Sequence, residues 1–363
     1  MKNTLRCLVL GFALLSFGAH ANPDQLSAVL VEAMKDGDAN TGYSFYVIDG
    51  DEQYRAVQGM AAPDGTALAA DHMFRIASIT KSYTAATVLR LVEQDKLQLD
   101  TPLTKLIRPA FDKILRGDGY DTDAITLKHL LSHTAGLYDH AQSNNYIQAI
   151  LKTPTKRWIR ADQIQAAADW GDPVGAPREK FFYSDTGYLL LGHIIERTTG
   201  ITLPLVVREQ LRFDELELNE TIWERGDSKT VPTARRAHQY MAGQDTHTWD
   251  PSVDLYGGGG IVATPRDVAR FYNLLLGGKV FEQSETLQIM LSAEGLPTDS
   301  PYRLGIFEKD YGDVHVYEHG GFWGTLVFHE PSSGITIAGA ALRQEDYPKL
   351  VKAMVSFLAN KQP

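Results

Sequence analysis

The sequence predicts an α/β (α+β) protein in which both chain ends build one antiparallel five-stranded sheet and a long middle segment forms a mostly helical lobe. Two strand patterns near the N-terminus are joined by an Asp49-Gly50-Asp51 turn, which predicts a hairpin. The segment from about 65 to 305 carries helical patterns separated by turn residues. The five strand patterns lie over residues 42–48, 53–58, 313–318, 323–329 and 335–341.

Terminal helices are expected to flank this sheet. Apolar residues recur at helical spacing over 23–35, and an amphipathic pattern covers 347–360. Between them, one helix is predicted from near Ser78 to about Gln94. Sheet and terminal helices would share one core, and a cleft between the two lobes would be the expected place for a site.

Helix caps mark the boundaries within the middle segment. Thr126 is a natural N-cap for a helix over 127–133. The segment His133-Thr134-Ala135-Gly136 is interpreted as a helix end and turn, with a role in the site as the alternative. A further helix is predicted over 185–198, and Thr264-Pro265 indicates the start of another.

Length and composition exclude several classes of protein. The chain has 363 residues, of which 44% are hydrophobic and 22% charged, so it is neither disordered nor fibrous. The formal net charge is −10 and no basic block occurs, which argues against nucleic-acid binding. Cys7 is the single cysteine, so a disulfide scaffold, a thiolate zinc site and an iron–sulfur cluster are excluded.

The first 21 residues resemble a secretory signal peptide. Lys2 and Arg6 precede an apolar run over 7–18, and Ala19-His20-Ala21 fits the cleavage pattern. Cleavage after Ala21 predicts a periplasmic or secreted protein without a stable membrane anchor. A retained anchor is the alternative.

One catalytic domain over 22–363 is then expected to follow the signal peptide. Its α/β lobe is predicted over about 22–64 and 306–363, and its helical lobe over about 65–305.

Ser78 and Lys81 form the strongest local candidate for chemistry. They are three residues apart near the start of a helix, so both project from one face. A serine hydroxyl needs a base, and lysine can serve only if its pKa falls, as burial would cause. The positive end of the helix would favour an alkoxide. The alternative is a surface Ser–Lys pair of the kind that occurs by chance.

Two further segments could complete such a site. Tyr183-Ser184-Asp185 precedes a helix, where Tyr183 could relay a proton and Asp185 could equally be an N-cap. His319-Gly320-Gly321 lies at a strand end before Phe322, where backbone N–H groups could form an oxyanion hole. The alternative there is a β-turn with an incidental histidine. The histidines show no metal-ligand spacing, so neither metal nor cofactor is expected.

These three pieces in this order resemble the penicillin-recognising serine hydrolases, a superfamily of serine β-lactamases, DD-peptidases and related esterases. Two more segments are similar to those of the superfamily: ITLKHLLSHTAGL over 125–137 and YGGGGIVATPRDVAR over 256–270. The resemblance covers essentially the whole chain after the signal peptide. It implies a β-lactamase/transpeptidase-like fold, nearest to the class C β-lactamase and D-Ala-D-Ala carboxypeptidase branch.

The resemblance also implies roles for individual residues. Ser78 would be the nucleophile, Lys81 the proton acceptor in acylation and Tyr183 a base or proton relay. The segment His319-Gly320-Gly321 would match the K-T-G or H-x-G strand at the cleft. The backbone N–H groups of Ser78 and Phe322 would hold the oxyanion.

Two departures weaken the β-lactamase interpretation. Asp185 stands where the family usually has Asn, so it could hold Lys81 but could not donate to a substrate carbonyl. Close to Lys81 it would also raise the lysine pKa. His319 replaces a lysine and removes a permanent cation that would face a penicillin carboxylate. Arg303 is a weaker candidate for meeting such a carboxylate.

The sequence therefore predicts an exported serine hydrolase that forms an acyl-enzyme with an amide or ester. A D-Ala-D-Ala carboxypeptidase or D-aminopeptidase-like activity is the first expectation, with carboxylesterase or weak β-lactamase activity as alternatives. A penicillin-binding sensor that is acylated without turnover is the non-enzymatic alternative. The expected partner is a small peptide, ester or lactam, peptidoglycan fragments included, and not a nucleic acid.

Overall fold

A computed structural model describes residues 23–35 and 42–361, so the predicted signal peptide lies outside the described part. Within that part there are eleven strands: β1 (Gly42–Asp49), β2 (Glu52–Gly59), β3 (Phe74–Arg75), β4 (Thr221–Trp223), β5 (Tyr240–Met241), β6 (Gln244–Asp245), β7 (Ile261–Ala263), β8 (Phe307–Tyr311), β9 (Val314–Gly321), β10 (Thr325–Glu330) and β11 (Ile335–Ala341).

Twelve α-helices occur in the same described residues. They are α1 (Pro23–Met34), α2 (Thr80–Glu93), α3 (Leu103–Leu106), α4 (Pro109–Gly117), α5 (Leu127–Leu131), α6 (Asn144–Lys152), α7 (Arg160–Trp170), α8 (Asp185–Thr199), α9 (Leu203–Gln210), α10 (Pro265–Leu276), α11 (Ser284–Leu291) and α12 (Tyr347–Ala359).

The main sheet has the strand order β2-β1-β11-β10-β9-β8, and all its neighbours are antiparallel. The α/β fold class and the antiparallel sheet from both chain ends are thereby confirmed. The strand number of five was wrong, because Phe307–Tyr311 adds a sixth strand at the edge. That strand is only partly buried, so its sequence FEKDY lacks the apolar pattern by which the others are recognised.

Alternating side chains of the sheet face two different cores. On β10, Leu326 and Phe328 pack with α12 residues such as Phe357, whereas Val327 points into the core of the helical region. Helices α1 and α12 contact each other beside the sheet, and α10 packs against β1, β10 and β11. Both faces of the sheet are therefore covered, and its central strands β1, β10 and β11 are almost entirely buried.

Helix α2 crosses the centre of the molecule. Its residues from Thr80 to Leu91 are all buried, and it contacts α8, α9 and α11. A three-stranded sheet of order β3-β7-β4 lies near its start, and the backbone of Ile76 is hydrogen-bonded to Ile261 at 3.0 Å. The N-terminal end of α2 is thereby fixed between the main sheet and the helices.

Two predicted helices begin or end differently in the structure. The helix expected from Ser78 starts with a 3₁₀ turn over Ala77–Ile79, and α-helical geometry begins at Thr80. The helix expected over 127–133 ends at Leu131, because His133 adopts a left-handed φ of 55°. None of the helices within the described residues is long and apolar enough to cross a bilayer.

Candidate active site

Ser78 lies on the 3₁₀ turn that precedes α2 and is partly exposed, whereas its neighbours on the turn are buried. Ala77 before it has a left-handed φ of 45°, a conformation that is strained for a residue with a Cβ atom. Lys81 Nζ donates a hydrogen bond to Ser78 Oγ at 2.9 Å. The structure thus brings together the first two residues of the predicted site.

The Lys81 ammonium is completely buried and has three partners. Besides Ser78 it donates to the carbonyl of Gly258 at 2.8 Å and forms an ion pair with the Asp185 carboxylate. Burial would lower the pKa of Lys81, but the Asp185 charge outweighs burial, so this pKa is raised above its ordinary value. Lys81 is therefore protonated in the resting protein, as the sequence argument about Asp185 anticipated.

Tyr183 lies one residue before the N-cap of α8 and is half-buried beside this pair. Its ring centroid is 5.0 Å from Lys81 Nζ. Burial raises the pKa of the Tyr183 phenol, while the Lys81 charge and interactions with the Lys81 and Ser78 side chains oppose that rise. The phenol thus lies where a proton could pass between it, the amine and the serine hydroxyl.

His133 contacts the segment around Tyr183 through its backbone and its side chain. Its carbonyl accepts from Phe182 N at 2.8 Å and its Nδ1 accepts from Ser184 N at 3.1 Å. Its ring lies 4.1 Å from the Tyr183 ring, centroid to centroid. The helix end and turn predicted for this segment concern its backbone. The His133 side chain in addition contacts the Tyr183 segment, and the LLSHTAG motif was the sequence signal for such a role in the site.

His319 is buried, and both of its ring nitrogens are engaged by other groups. Its Nε2 is 2.9 Å from the Tyr302 hydroxyl, and its Nδ1 is 2.9 Å from the Gly320 carbonyl. Burial, followed by the nearby Lys81 charge, lowers the pKa of His319 to about 3. The imidazole is therefore neutral and supplies no charge to the cleft.

Gly320 and Gly321 end β9 in contact with the turn that carries Ser78. A Cβ atom on Gly321 would lie 2.3 Å from the Ile76 carbonyl oxygen, and one on Gly320 would lie 2.1 Å from the Tyr347 hydroxyl. Thr325 Oγ1 donates to the same Ile76 carbonyl at 3.1 Å. Only residues without a side chain let the strand approach so closely, and Phe322 follows directly.

Two carboxyl groups near Lys81 carry no local sequence signal and were missed. Asp139 accepts from the backbone N–H groups of Ala141 at 3.0 Å and Asp185 at 3.1 Å. Burial, followed by the Asp185 charge, raises the pKa of Asp139 to about 7. The same two causes raise the pKa of Asp254 to about 7. Asp139 lies just before one 3₁₀ turn and Asp254 ends another, so only the fold brings the two carboxyl groups to Lys81.

A cavity of about 900 Å³ opens over Ser78. Tyr183, Asp185, His319, Gly320, Gly321 and Phe322 all line it. Its other walls are mainly apolar: Ile147, Ile150, Met241, Trp249, Val253 and Trp323. Among residues 23–35 and 42–361, no three His, Cys, Asp or Glu side chains are arranged to hold a metal ion.

Comparison with known proteins places this geometry in a family. The beta-lactamase family model matches residues 26–354. The unguisins hydrolase ungD' of Aspergillus campestris is 25% identical over 342 residues, which cover 88% of this chain and 61% of that protein. The D-alanyl-D-alanine-carboxypeptidase/endopeptidase AmpH of Escherichia coli is 24% identical over 252 residues, covering 68% of this chain and 60% of that protein.

The fold is that of a D-stereospecific amidohydrolase from Streptomyces, with a TM-score of 0.77, 24% identity and coverage of 92% of this chain and 98% of that one. The chain spans about three fifths of the length of the two curated relatives named above. The resemblance to penicillin-recognising serine hydrolases is confirmed by the family match and the curated relatives: the chain belongs to the beta-lactamase family.

Proposed function

We propose that this chain cleaves an amide or ester bond of a small peptide through an acyl-enzyme on Ser78. The observation that carries the proposal is the 2.9 Å hydrogen bond between Ser78 Oγ and the completely buried Lys81 Nζ at the edge of the large cavity. A serine activated by a neighbouring amine and phenol is suited to acyl transfer without a metal.

Acylation begins with the transfer of the Ser78 proton to the Lys81–Tyr183 pair. Before the transfer the pair is either a neutral amine beside a phenol or an ammonium beside a phenolate. The amine accepts the proton in the first form, and the phenolate accepts it in the second. Ser78 Oγ bonds to the substrate carbonyl carbon, and the carbonyl oxygen takes up the negative charge near the backbone N–H groups of Ser78 and Phe322. Collapse breaks the bond to the leaving group, which departs with the proton. Water then cleaves the acyl-enzyme.

A peptide containing a D-amino acid is the proposed substrate class. Two activities fit it: removal of a C-terminal residue, as in the similar carboxypeptidase AmpH, and cleavage of an amino-acid amide, as in the similar D-stereospecific amidohydrolase. We further propose export after cleavage behind Ala21, which N-terminal sequencing of exported protein would test by a first residue of Asn22.

The test of the nucleophile is covalent labelling with a fluorophosphonate. Wild-type protein and Ser228→Ala, which alters an exposed serine, should both be labelled. Ser78→Ala should lose the label completely, and peptide mapping should place the adduct on Ser78. Retained labelling of Ser78→Ala would assign the nucleophile to another residue.

A second candidate function is a sensor that is acylated without turnover. The Lys81–Asp185 ion pair favours it, because a lysine held as ammonium is a poor base for the water that must release the acyl group. Pre-steady-state kinetics separates the two functions. A burst equal to the enzyme concentration with no steady phase would support the sensor, and continuous turnover would support the hydrolase.

A further inference from the structure

We propose that the cavity over Ser78 selects an acyl donor with a bulky apolar group and a nearby ammonium, and rejects one with a nearby free carboxylate. The inference rests on the proposed function and narrows its substrate class. It follows from the charges that line the cavity, from the position of Asp254 and from the apolar wall next to the nucleophile.

Carboxyl groups outnumber free cations around the cavity. The acidic residues that line it are Asp139, Asp185, Asp254, Glu318 and Glu345. Lys309 also lines it, but its Nζ lies 2.5 Å from a Glu318 oxygen. Lys81 is held by Asp185. Within the described residues, no lysine or arginine lining the cavity lacks a carboxylate partner.

Neither His319 nor Arg303 is available to bind a substrate carboxylate in this cavity. His319 is buried, neutral and bonded to Tyr302. Arg303 does not line the cavity, and its guanidinium is engaged by Glu308 at 2.5 Å. A carboxylate entering this cavity would lose its hydration and find no free cation to bind it, which is unfavourable.

Asp254 is the carboxyl group best placed to receive a cation. Its carboxylate lies directly against the backbone of Gly259, where a Cβ atom would be 2.1 Å from Oδ1. No hydrogen bond among residues 23–35 and 42–361 involves that carboxylate, although it lines the cavity. Arg75 is a charged neighbour of Asp254, but its guanidinium is already bound by Glu224 at 2.7 Å. The other charged neighbours of Asp254 are Asp185 and Lys81, which form an ion pair with each other.

The apolar wall connects Asp254 to the nucleophile. Ala77, next to Ser78, packs with Trp249 and Trp323, and the two indole rings meet edge to face at 5.9 Å. Val253, next to Asp254, packs against the same cluster. A substrate carbon that carries an apolar side chain and an ammonium could therefore place the side chain on the tryptophan wall and the ammonium at Asp254. Burial of the apolar side chain would favour binding.

The test compares three substrates that differ only at the amine. Phenylalanine p-nitroanilide is used with a free amine, N-acetylated or N-succinylated, in both D and L forms. We expect kcat/KM to be highest for the free amine and at least about tenfold lower for the succinyl compound. The corresponding alanine anilide should be a poorer substrate than the phenylalanine one.

Two variants assign the selectivity to Asp254. Asp254→Asn, nearly equal in shape, should reduce the ratio of free-amine to succinyl kcat/KM at least about fivefold, and Asp254→Glu should largely retain it. Asp51→Asn removes an exposed carboxylate in the β1–β2 turn and should leave the ratio unchanged. Rates are normalised to the sites labelled by fluorophosphonate, so that misfolded protein does not enter the comparison.

The outcomes separate this inference from the proposed function. Failure of Ser78 to be labelled would overturn the proposed function. If labelled enzyme cleaves all three substrates equally, prefers the succinyl compound or leaves the free amine uncleaved, the charge selection is overturned. An unchanged ratio in Asp254→Asn would overturn the assignment to Asp254.

Discussion

Single side chains set the protonation state of the site, and the Asp185 carboxylate has the largest effect. It forms the ion pair that keeps Lys81 charged against the cost of burial. In turn, burial would raise the pKa of Asp185, but the Lys81 charge brings it below its ordinary value. Lys81 must therefore lose its own proton before it can accept one from Ser78.

Asp185→Asn should make Lys81 easier to deprotonate. With the carboxylate gone, burial remains as the main influence and lowers the lysine pKa, so the neutral amine is present at lower pH. In a plot of acylation rate against pH, we expect the rise on the acid side to move to lower pH by about one unit or more. The measurement is the rate of fluorophosphonate labelling between pH 5 and pH 10, with Asp185→Glu as the charge-retaining control. An unchanged profile would leave Asp185 only the role of starting α8.

His133 should act as a positioning residue for Tyr183. His133→Ala removes the acceptor of the Ser184 N–H and the ring behind the phenol, so we expect kcat to fall about tenfold with little change in KM. His133→Asn should recover part of the loss, since asparagine tolerates the left-handed φ and offers an acceptor. His315→Ala, at a partly exposed strand position, serves as control. A loss of thermal stability without the kcat effect would contradict the positioning role.

At the scale of secondary structure, the junction between the end of β9 and the turn before α2 builds the site. Gly321 approaches the Ile76 carbonyl too closely for any side chain. The distance between the backbone N–H groups of Ser78 and Phe322 therefore depends on this glycine, and an added methyl group must push the strand away.

Gly321→Ala should slow acylation at least about tenfold, because the oxyanion donors would move apart. Gly117→Ala is the matched control: it lies at the exposed end of α4 with open space around its Cα, and alanine favours the helix. Labelling rates and melting temperatures of both variants give the comparison. A Gly321→Ala protein that labels at the wild-type rate would show that β9 is not part of the oxyanion hole.

The sequence predicted elements whose pattern is local and missed features that depend on packing. The hairpin of β1 and β2, the last two strands of the sheet and α12 follow from apolar periodicity and turn residues. The strand β8 was missed because its edge position requires no apolar face. Ser78, Lys81 and Tyr183 were predicted from motifs, whereas Asp139 and Asp254 lie at 3₁₀ turns without a pattern of their own.

At the scale of the whole molecule, buried titratable groups couple folding to pH. Burial lowers the pKa of His140, His193, His247 and His329 to about 4 and that of His319 to about 3. Because the unfolded chain binds more protons at these histidines, they make the folded state more stable as pH rises from about 4 to 6.5. Asp139 and Asp254 oppose this, since their raised pKa values favour the folded state at lower pH.

The histidines are the larger group, so the melting temperature should rise between about pH 4.5 and pH 6.5. Asp254→Asn removes one opposing group and should make this rise steeper. Differential scanning fluorimetry of both proteins in buffers of constant ionic strength measures the effect. A melting temperature that falls over this interval would mean that the carboxyl groups dominate.

The neighbouring strands β1 and β11 are separated by almost the full length of the polypeptide. Closing a loop of that size is slow, and β1 lacks its partner on this side until β11 has been synthesised. We therefore expect Ser78 to react with fluorophosphonate only after β11 has been synthesised and has paired with β1. A chain stalled on the ribosome before β11 has emerged should not be labelled, whereas a chain stalled after β11 has emerged should be.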